Sequence, residues 1–265
     1  MLLSVIVPAR DEEDSVAVMI GSTVEVLDRE KIPFEIIIVD DGSQDRTASV
    51  VRGLSADDRR IRLAHCFEPH GFGMAVRKGL QIFRGDVAAV MMADLSDDPE
   101  DLVRCYRKLG EGYDCVFGSR FQPESKLIDY PAHKLLINRL ANWFIKVLFR
   151  IPFNDTTNAF KLYRRSAVDA MQPLISRHFN LTVEMPLKVI VRGYSFAMIP
   201  ISWRNRTSGL SKLKIKEMGS RYLFITLYLW LEKHLSRGDY VRQDAATPGS
   251  SASSRTHAVD ERPVK

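Results

Sequence analysis

Five acids crowd residues 91–102, MMADLSDDPEDL. Asp94 closes an apolar run, and polar residues follow it two to four positions on. A carboxylate fixed there suits a hard cation such as magnesium or manganese, which needs only one or two protein carboxylates when diphosphate oxygens complete its shell. Asp97, Asp98, Glu100 and Asp101 have a plainer use. They flank Pro99, and acids around a proline suit the first turn of a helix.

Three other segments carry comparable chemistry. Asp40 and Asp41 close FEIIIVDDG (34–42), where a carboxylate can accept from a base N–H or a ribose hydroxyl. Just beyond them, Ser43 or Asp45 can cap a helix starting near Thr47. EPHGFGMAVRKGL (68–80) opens a helix from small residues, with Arg77 and Lys78 in its early turns; a phosphate cradle and an ordinary helix entry both fit. Arg120, after Gly118 and Ser119, and Arg206 and Lys212, in RNRTSGLSK (204–212), could clamp phosphates or remain a solvated basic loop.

Something must bring these groups together. The runs LLSVIVPA, FEIIIVDDG, IRLAHC, DVAAVMMAD and DCVFGSR are apolar and partly β-branched, and helical patterns separate them. Strands apolar on both faces, alternating with helices, predict an α/β fold with a mostly parallel sheet covered on both sides. In such sheets ligands bind beyond the carboxyl ends of the strands. All the groups named so far up to Arg120 stand at or just beyond such ends.

The second half reads differently. In HKLLINRLANWFIKVLFR (133–150), Asn138, Asn142, Lys146 and Arg150 share one helical stripe, and Leu136, Leu140, Trp143, Phe144, Val147 and Leu148 share another. Such a helix can pack on the sheet or lie as a basic helix in a membrane interface. The apolar, aromatic run Tyr222–Leu231 has Lys212, Lys214, Lys216, Arg221, Lys233 and Arg237 around it, a pattern that suits the lipid headgroup zone. From about Asp239 to Lys265 the chain is Ser-, Ala- and Pro-rich and is expected to be a disordered tail.

Composition narrows the classes. The 265 residues are 45% hydrophobic and 27% charged, and 38 Lys+Arg against 33 Asp+Glu leave a net charge of +5. That mild excess favours anionic ligands or an anionic surface over nucleic acid. Cys66, Cys105 and Cys115 are odd in number and lack C-x-x-C spacing, so reduced thiols in a cytosolic protein are expected. MLLSVIVPARDEE reads as a strand rather than a signal peptide, and no apolar stretch reaches the roughly 18 residues that spanning needs. No G-x-G-x-x-G follows the first strand, which argues against a dinucleotide-dependent dehydrogenase.

SVIVPARDEEDSV, FEIIIVDDGSQDRT, GFGMAVRKGL, GDVAAVMMADLSDDPEDL, DCVFGSRF, NDTTNAFKLYRRSAV and VEMPLKVIVRGYSFAMIPISWRNRTSGLSK occur in that order, from residue 3 to about residue 216. Together they resemble the family-2, GT-A-fold glycosyltransferases, in particular the dolichol-phosphate mannose synthase and related polyprenyl-phosphate branch. The resemblance implies a GT-A (Rossmann-like) domain over 1–238, with a nucleotide-sugar half at about 1–125 and an acceptor half at about 126–238. It also implies a C-terminal amphipathic helix on the membrane surface. By position, Pro8, Arg10, Glu12, Ile38, Asp40, Ala93 and Ser96 would bind the nucleotide sugar. Asp94 and Ser96 would hold Mg2+ or Mn2+, and Asp94, Arg120, Arg206 and Lys212 would serve catalysis. Departures are Met92 where the branch has the first acid of Asp-Ala-Asp, Ser96 for a frequent glutamine, Asn158-Ala159-Phe160 for Ser-Gly-Phe, and Asn180 for a lysine.

The implied reaction moves a hexose, with inversion, from GDP-mannose or a UDP-hexose to a polyprenyl or dolichyl phosphate. The enzyme would sit peripherally on the cytoplasmic face, with a homo-oligomer or a membrane-protein partner as further possibilities. Two alternatives stay open. One is transfer to a sugar hydroxyl, with Glu184 as base unless it merely pairs with Lys188 four residues on. The other is a non-catalytic nucleotide-sugar-binding membrane adaptor.

Overall fold

The computed structural model describes residues 1–205 and 215–243, the side chains of residues 215–218 excepted. Arg206, Lys212 and the part of the expected tail from residue 244 onward lie outside the described residues. In the first half β1 (Leu3–Ala9), α1 (Val16–Arg29), β2 (Phe34–Asp40), α2 (Thr47–Asp57), β3 (Ile61–His65), α3 (Phe72–Ile82), β4 (Val87–Val90), α4 (Pro99–Gly110) and β5 (Cys115–Ser119) alternate as the apolar runs require. Then come β6 (Lys126–Ile128), α5 (Ala132–Phe149), β7 (Lys161–Arg164), α6 (Arg165–Ala170), α7 (Leu181–Val191), β8 (Phe196–Pro200), β9 (Ser202–Arg204) and α8 (Ile215–Leu235).

Seven strands form one sheet in the order β3-β2-β1-β4-β7-β5-β8, and β6 and β9 make a separate parallel pair. Every residue of β1 and β2 is buried, because helices cover both faces. Each apolar side chain hidden in this way contributes roughly 1.5–3 kcal/mol before entropy is counted. α3 lies so close to β1 that a Cβ at Gly79 would run into Ile6.

Register fixes where the strand ends fall. Ala9 pairs with Asp40 and Ile6 with Val90, so the loops after β1, β2 and β4 leave the sheet at one edge. β7 is antiparallel to both β4 and β5, and Lys161 pairs with Val90 on one side and Phe117 on the other. Its first residue therefore sits at the same edge, and Thr157, Asn158 and Ala159, just before it, line the cleft. The sheet runs across the boundary expected near residue 125, since β7 and β8 belong to it.

Two features bear on readings left open above. The chain from Asp239 is not loose at once: the Arg242 amide donates to the Arg192 carbonyl at 3.0 Å, and its guanidinium meets Asp114 at 3.2 Å. α5 also turns the opposite way to a helix packed on a sheet. Asn142, from the polar stripe, is buried, while Leu136 (70% exposed), Leu140, Trp143 (60%) and Val147 face outward. The reason is local: the Asn142 side chain accepts from the Thr156 amide at 2.6 Å and donates to the Thr157 hydroxyl at 3.0 Å, closing the polar loop before β7.

α8 is apolar on both sides. Ile225 and Leu229 enter the core, and Leu223, Phe224, Leu227 and Leu231 are exposed. Among the described residues no helix is long and apolar enough to cross a membrane.

Candidate active site

A cavity of about 860 Å³ opens where β1, β2, β4 and β5 end, roofed on the far side by α5 and α8. Pro8, Arg10 and Glu12 reach its wall from the end of β1. This loop is laced to the next one: the Glu12 amide donates to the Thr47 hydroxyl at 2.8 Å, and the Gln44 amide to Asp11 at 2.8 Å. The two loops form one rigid lip.

The two carboxylates at the end of β2 differ in their surroundings. Ile38 is sealed in the core, and Asp40 is occupied by the Ser43 amide at 3.1 Å and His65 at 3.2 Å. Asp41 is the one on the cavity wall, held by the Gly71 amide at 2.9 Å and by His70 at 3.2 Å. Gly71 (φ +153) and Gly73 serve close packing: a Cβ on either would strike the backbone of residues 176–178. Arg77 and Lys78 lie away from the cavity wall.

β4 ends at Val90, not at Asp94. Met91 still donates to Ile6 at 3.1 Å, after which the chain turns through Leu95 at φ +61. The turn puts Asp94 and Ser96 on the cavity and leaves Ala93 in the core. The Ser96 amide donates to Asp94 at 3.2 Å. Asp98 caps α4 through the Glu100 amide at 2.9 Å, with Pro99 in the first turn, so the helix-entry reading holds from Asp98 onward.

Asp97 does not belong to that entry. It is buried, faces the cavity, and accepts from the Met92 amide at 2.9 Å. Burial, with the charge of Asp94 adding to it, pushes its carboxyl up to about 7 against the pull of the Met92 amide and Arg120.

Arg120, after β5, meets Asp155 across the cleft: Nε donates to Oδ2 at 2.9 Å and Nη2 to Oδ1 at 2.8 Å. Burial works against the guanidinium charge, but Asp155 more than offsets it and holds the pKa above the usual arginine value. Behind this pair the ammonium of buried Lys161 donates to the carbonyls of Thr156, Asn158 and Thr182. Burial brings that ammonium down to about 7.

Glu184 is not at the cavity. It is sealed in α7, paired with Lys188 at 2.9 Å, and accepts from the amides of Ile175 at 2.9 Å and Ser176 at 2.7 Å. This makes it a structural carboxylate, not a base within reach of substrate. Sequence reasoning missed Asp155, Lys134, Tyr130 and Trp203, and all but Asp155 line the cavity. The segment NDTTNAF hinted at Asp155 only by being polar before an apolar strand.

Oxygen donors at Asp94 and Ser96 match the taste of a hard cation. Among the described residues no three acids, cysteines or histidines converge, so diphosphate oxygens would have to complete the shell.

A mixed sheet with its cleft at the strand ends, and a carboxylate loop facing a buried arginine, define a GT-A transferase domain. The chain belongs to glycosyl transferase family 2, whose sequence model matches residues 4–171, and it is a hexosyltransferase. It is 27% identical over 215 residues to the polyprenol monophosphomannose synthase of Mycolicibacterium smegmatis, covering 79% of this chain and 80% of that protein. It is 28% identical over 242 residues to the glycosyltransferase AglD of Haloferax volcanii, where the match covers 89% of this chain but 38% of the relative. The first of these agrees with the polyprenyl-phosphate branch. Among solved structures, glucosyl-3-phosphoglycerate synthase of Mycobacterium tuberculosis, bound to Mn2+, UDP-glucose and phosphoglyceric acid, superposes with a TM-score of 0.66 at 16% identity. That match covers 88% of this chain and 79% of the other, and carries the fold alone.

Proposed function

We propose that the protein transfers a hexose from a nucleotide sugar to a polyprenyl or dolichyl phosphate at a membrane surface. The observation that carries this is the continuity of the cavity. The same cavity is lined by Asp94 and Arg120 and by Ile137 and Phe144 of α5 and Leu223 of α8, whose side chains are among the exposed apolar ones of those helices. A phosphate at the polar end and an isoprenoid tail along the apolar end would match the two chemistries of that wall. Lys134 and Arg221 line the same cavity, and Lys146, Arg150 and Arg237 belong to the same two helices or their ends, so the apolar surface has basic company for anionic headgroups.

The nucleoside would sit on the lip at Pro8, Arg10, Glu12 and Asp41, and its diphosphate over Asp94 and Ser96. Mg2+ or Mn2+ bound there would neutralise charge developing on the leaving diphosphate. An acceptor phosphate oxygen forms the new bond to the anomeric carbon as the bond to the diphosphate oxygen breaks. A phosphate monoester is ionised near neutral pH, so no strong base is needed. Glu184, the base considered for transfer to a hydroxyl, is sealed away from the cavity and cannot serve that alternative. Arg120, fixed by Asp155, contributes its remaining guanidinium edge to the phosphates, and Arg206 and Lys212 are proposed to close over them.

The test is direct. Incubate the protein with vesicles containing polyprenyl phosphate and a panel of labelled nucleotide sugars, then extract into organic solvent. Label should enter the lipid phase with one donor and with Mg2+ or Mn2+; none with any donor would end this reading.

A further inference from the structure

The catalytic reading accounts for Asp94, Ser96 and Arg120 but leaves unexplained why three other groups meet beside them. Trp203 is the centre of β9. It pairs with Leu127 of β6 and forms a bridge to Asp97, so its backbone is held from two sides. Tyr130 packs against it, with ring centroids 4.7 Å apart at 54°, and is itself fixed by the Asn138 side-chain amide and by Arg120, 5.9 Å over its ring. Both rings are half-buried and line the cavity. Next to them stands the buried carboxylate of Asp97. Among the described residues the Met92 amide is its one hydrogen-bond donor. A carboxyl group has more acceptor sites than the one that this amide uses, and the residue lines the cavity.

An aromatic wall beside an under-used carboxylate is the complement of a pyranose. A sugar ring has a C–H face that packs on π-surface and a hydroxyl rim that donates hydrogen bonds. Position agrees: Asp97 follows Asp94 and Ser96 on one loop, so a ring attached to a diphosphate held there would fall against Asp97 and Trp203. We infer that Trp203, Tyr130 and Asp97 form the subsite for the donor's hexose, with Trp203 and Tyr130 covering one face and Asp97 accepting from its hydroxyls. Sugar choice then lies with Asp97 and Trp203 and not with the cation site. This rests on the nucleotide-sugar reading above.

The experiment compares a nucleotide with its sugar conjugate. Calorimetry with Mn2+ present measures UDP against UDP-glucose and GDP against GDP-mannose on the full-length protein. With the pair that the wild type binds, Asp97→Ala and Trp203→Ala should each weaken the sugar conjugate about tenfold and the bare nucleotide less than about twofold. The shape-conserving Asp97→Asn and Trp203→Phe, which guard against misfolding, should lose about threefold for the conjugate. Mn2+ affinity, read from the resonance of the free ion, should not change in Asp97→Asn. Equal losses for nucleotide and conjugate would overturn the subsite, and so would weakened Mn2+ binding, which would make Asp97 a cation ligand. If the wild type binds a conjugate and the variants match it, the subsite alone falls. If it binds none of the four, the nucleotide-sugar reading of this cavity falls first and the subsite with it.

Discussion

Arg120 donates two of its guanidinium N–H groups to Asp155 at 2.9 and 2.8 Å, and both side chains are buried. One residue thus aims a cation from β5 and the other anchors it from the loop before β7. Removing one partner leaves an uncompensated buried charge, so Asp155→Asn should lower stability by roughly 3–5 kcal/mol in urea titrations. Arg120→Lys should not restore activity, because an ammonium cannot make the two-pronged contact. Replacing both with apolar residues should recover much of the stability and none of the transfer. A singly substituted Asp155→Asn as stable as wild type would show that the pair does not matter to the fold.

Asp94 is the carboxylate on which divalent dependence rests in the proposed reaction. Asp94→Ala should cut metal-stimulated transfer by about 100-fold or more and abolish saturable Mn2+ binding. Undiminished transfer would remove Asp94 from the chemistry.

The outward apolar faces of α5 and α8 predict attachment to lipid. Trp143→Glu with Phe224→Glu should reduce sedimentation with anionic vesicles by about tenfold or more while leaving nucleotide binding unchanged. Binding of the wild type should also weaken with salt, since basic residues flank the patch. Vesicle binding equal to wild type would assign these faces to another partner.

Lys161 predicts a pH dependence. Burial lowers its ammonium from 10.5 to about 7 in the folded chain. Between those values the unfolded state binds more protons than the folded one, so this group makes stability rise with pH from about 7 to about 10. Lys161→Met should flatten that rise when melting is followed across the window. It should also lower stability at every pH, because three carbonyls lose their donor. A slope identical to wild type would mean the ammonium stays charged inside.

Much of the fold was legible because β1, β2 and β4 are apolar on both faces, and only a covered parallel sheet asks for that. β7 was not, because KLYR carries a lysine that is buried through carbonyls at residues 156, 158 and 182, which no local pattern shows. The site was legible as a set of strand ends, and Pro8, Arg10, Glu12, Asp94, Ser96 and Arg120 do converge. Which of the two acids after Val39 lines the cavity was not legible: Asp40 is the last residue of β2 and Asp41 lies just past it, and spacing alone does not separate them. Asp97 looked like the acids after it, and only its partner separates it from them: Asp97 accepts from the Met92 amide, whereas Asp98 caps α4. α5 misled because an apolar stripe normally faces inward; here the polar loop at Thr156 and Thr157 holds Asn142 there instead.

The place of β7 has a consequence for synthesis. It sits between β4 and β5 but follows both in the chain, so until residues 161–164 leave the ribosome these two strands have no partner on their facing edges. At roughly 5–20 residues per second that gap lasts a few seconds, during which two apolar strand edges stand open. A chain ending at Arg150 should keep them open permanently and be recovered as aggregate, whereas one ending at Gln243 should stay in solution with detergent or lipid. The nucleotide half is therefore not a module that could be inherited or moved alone: the strand that completes it comes after α5, and that order ties the two halves into a single unit of folding.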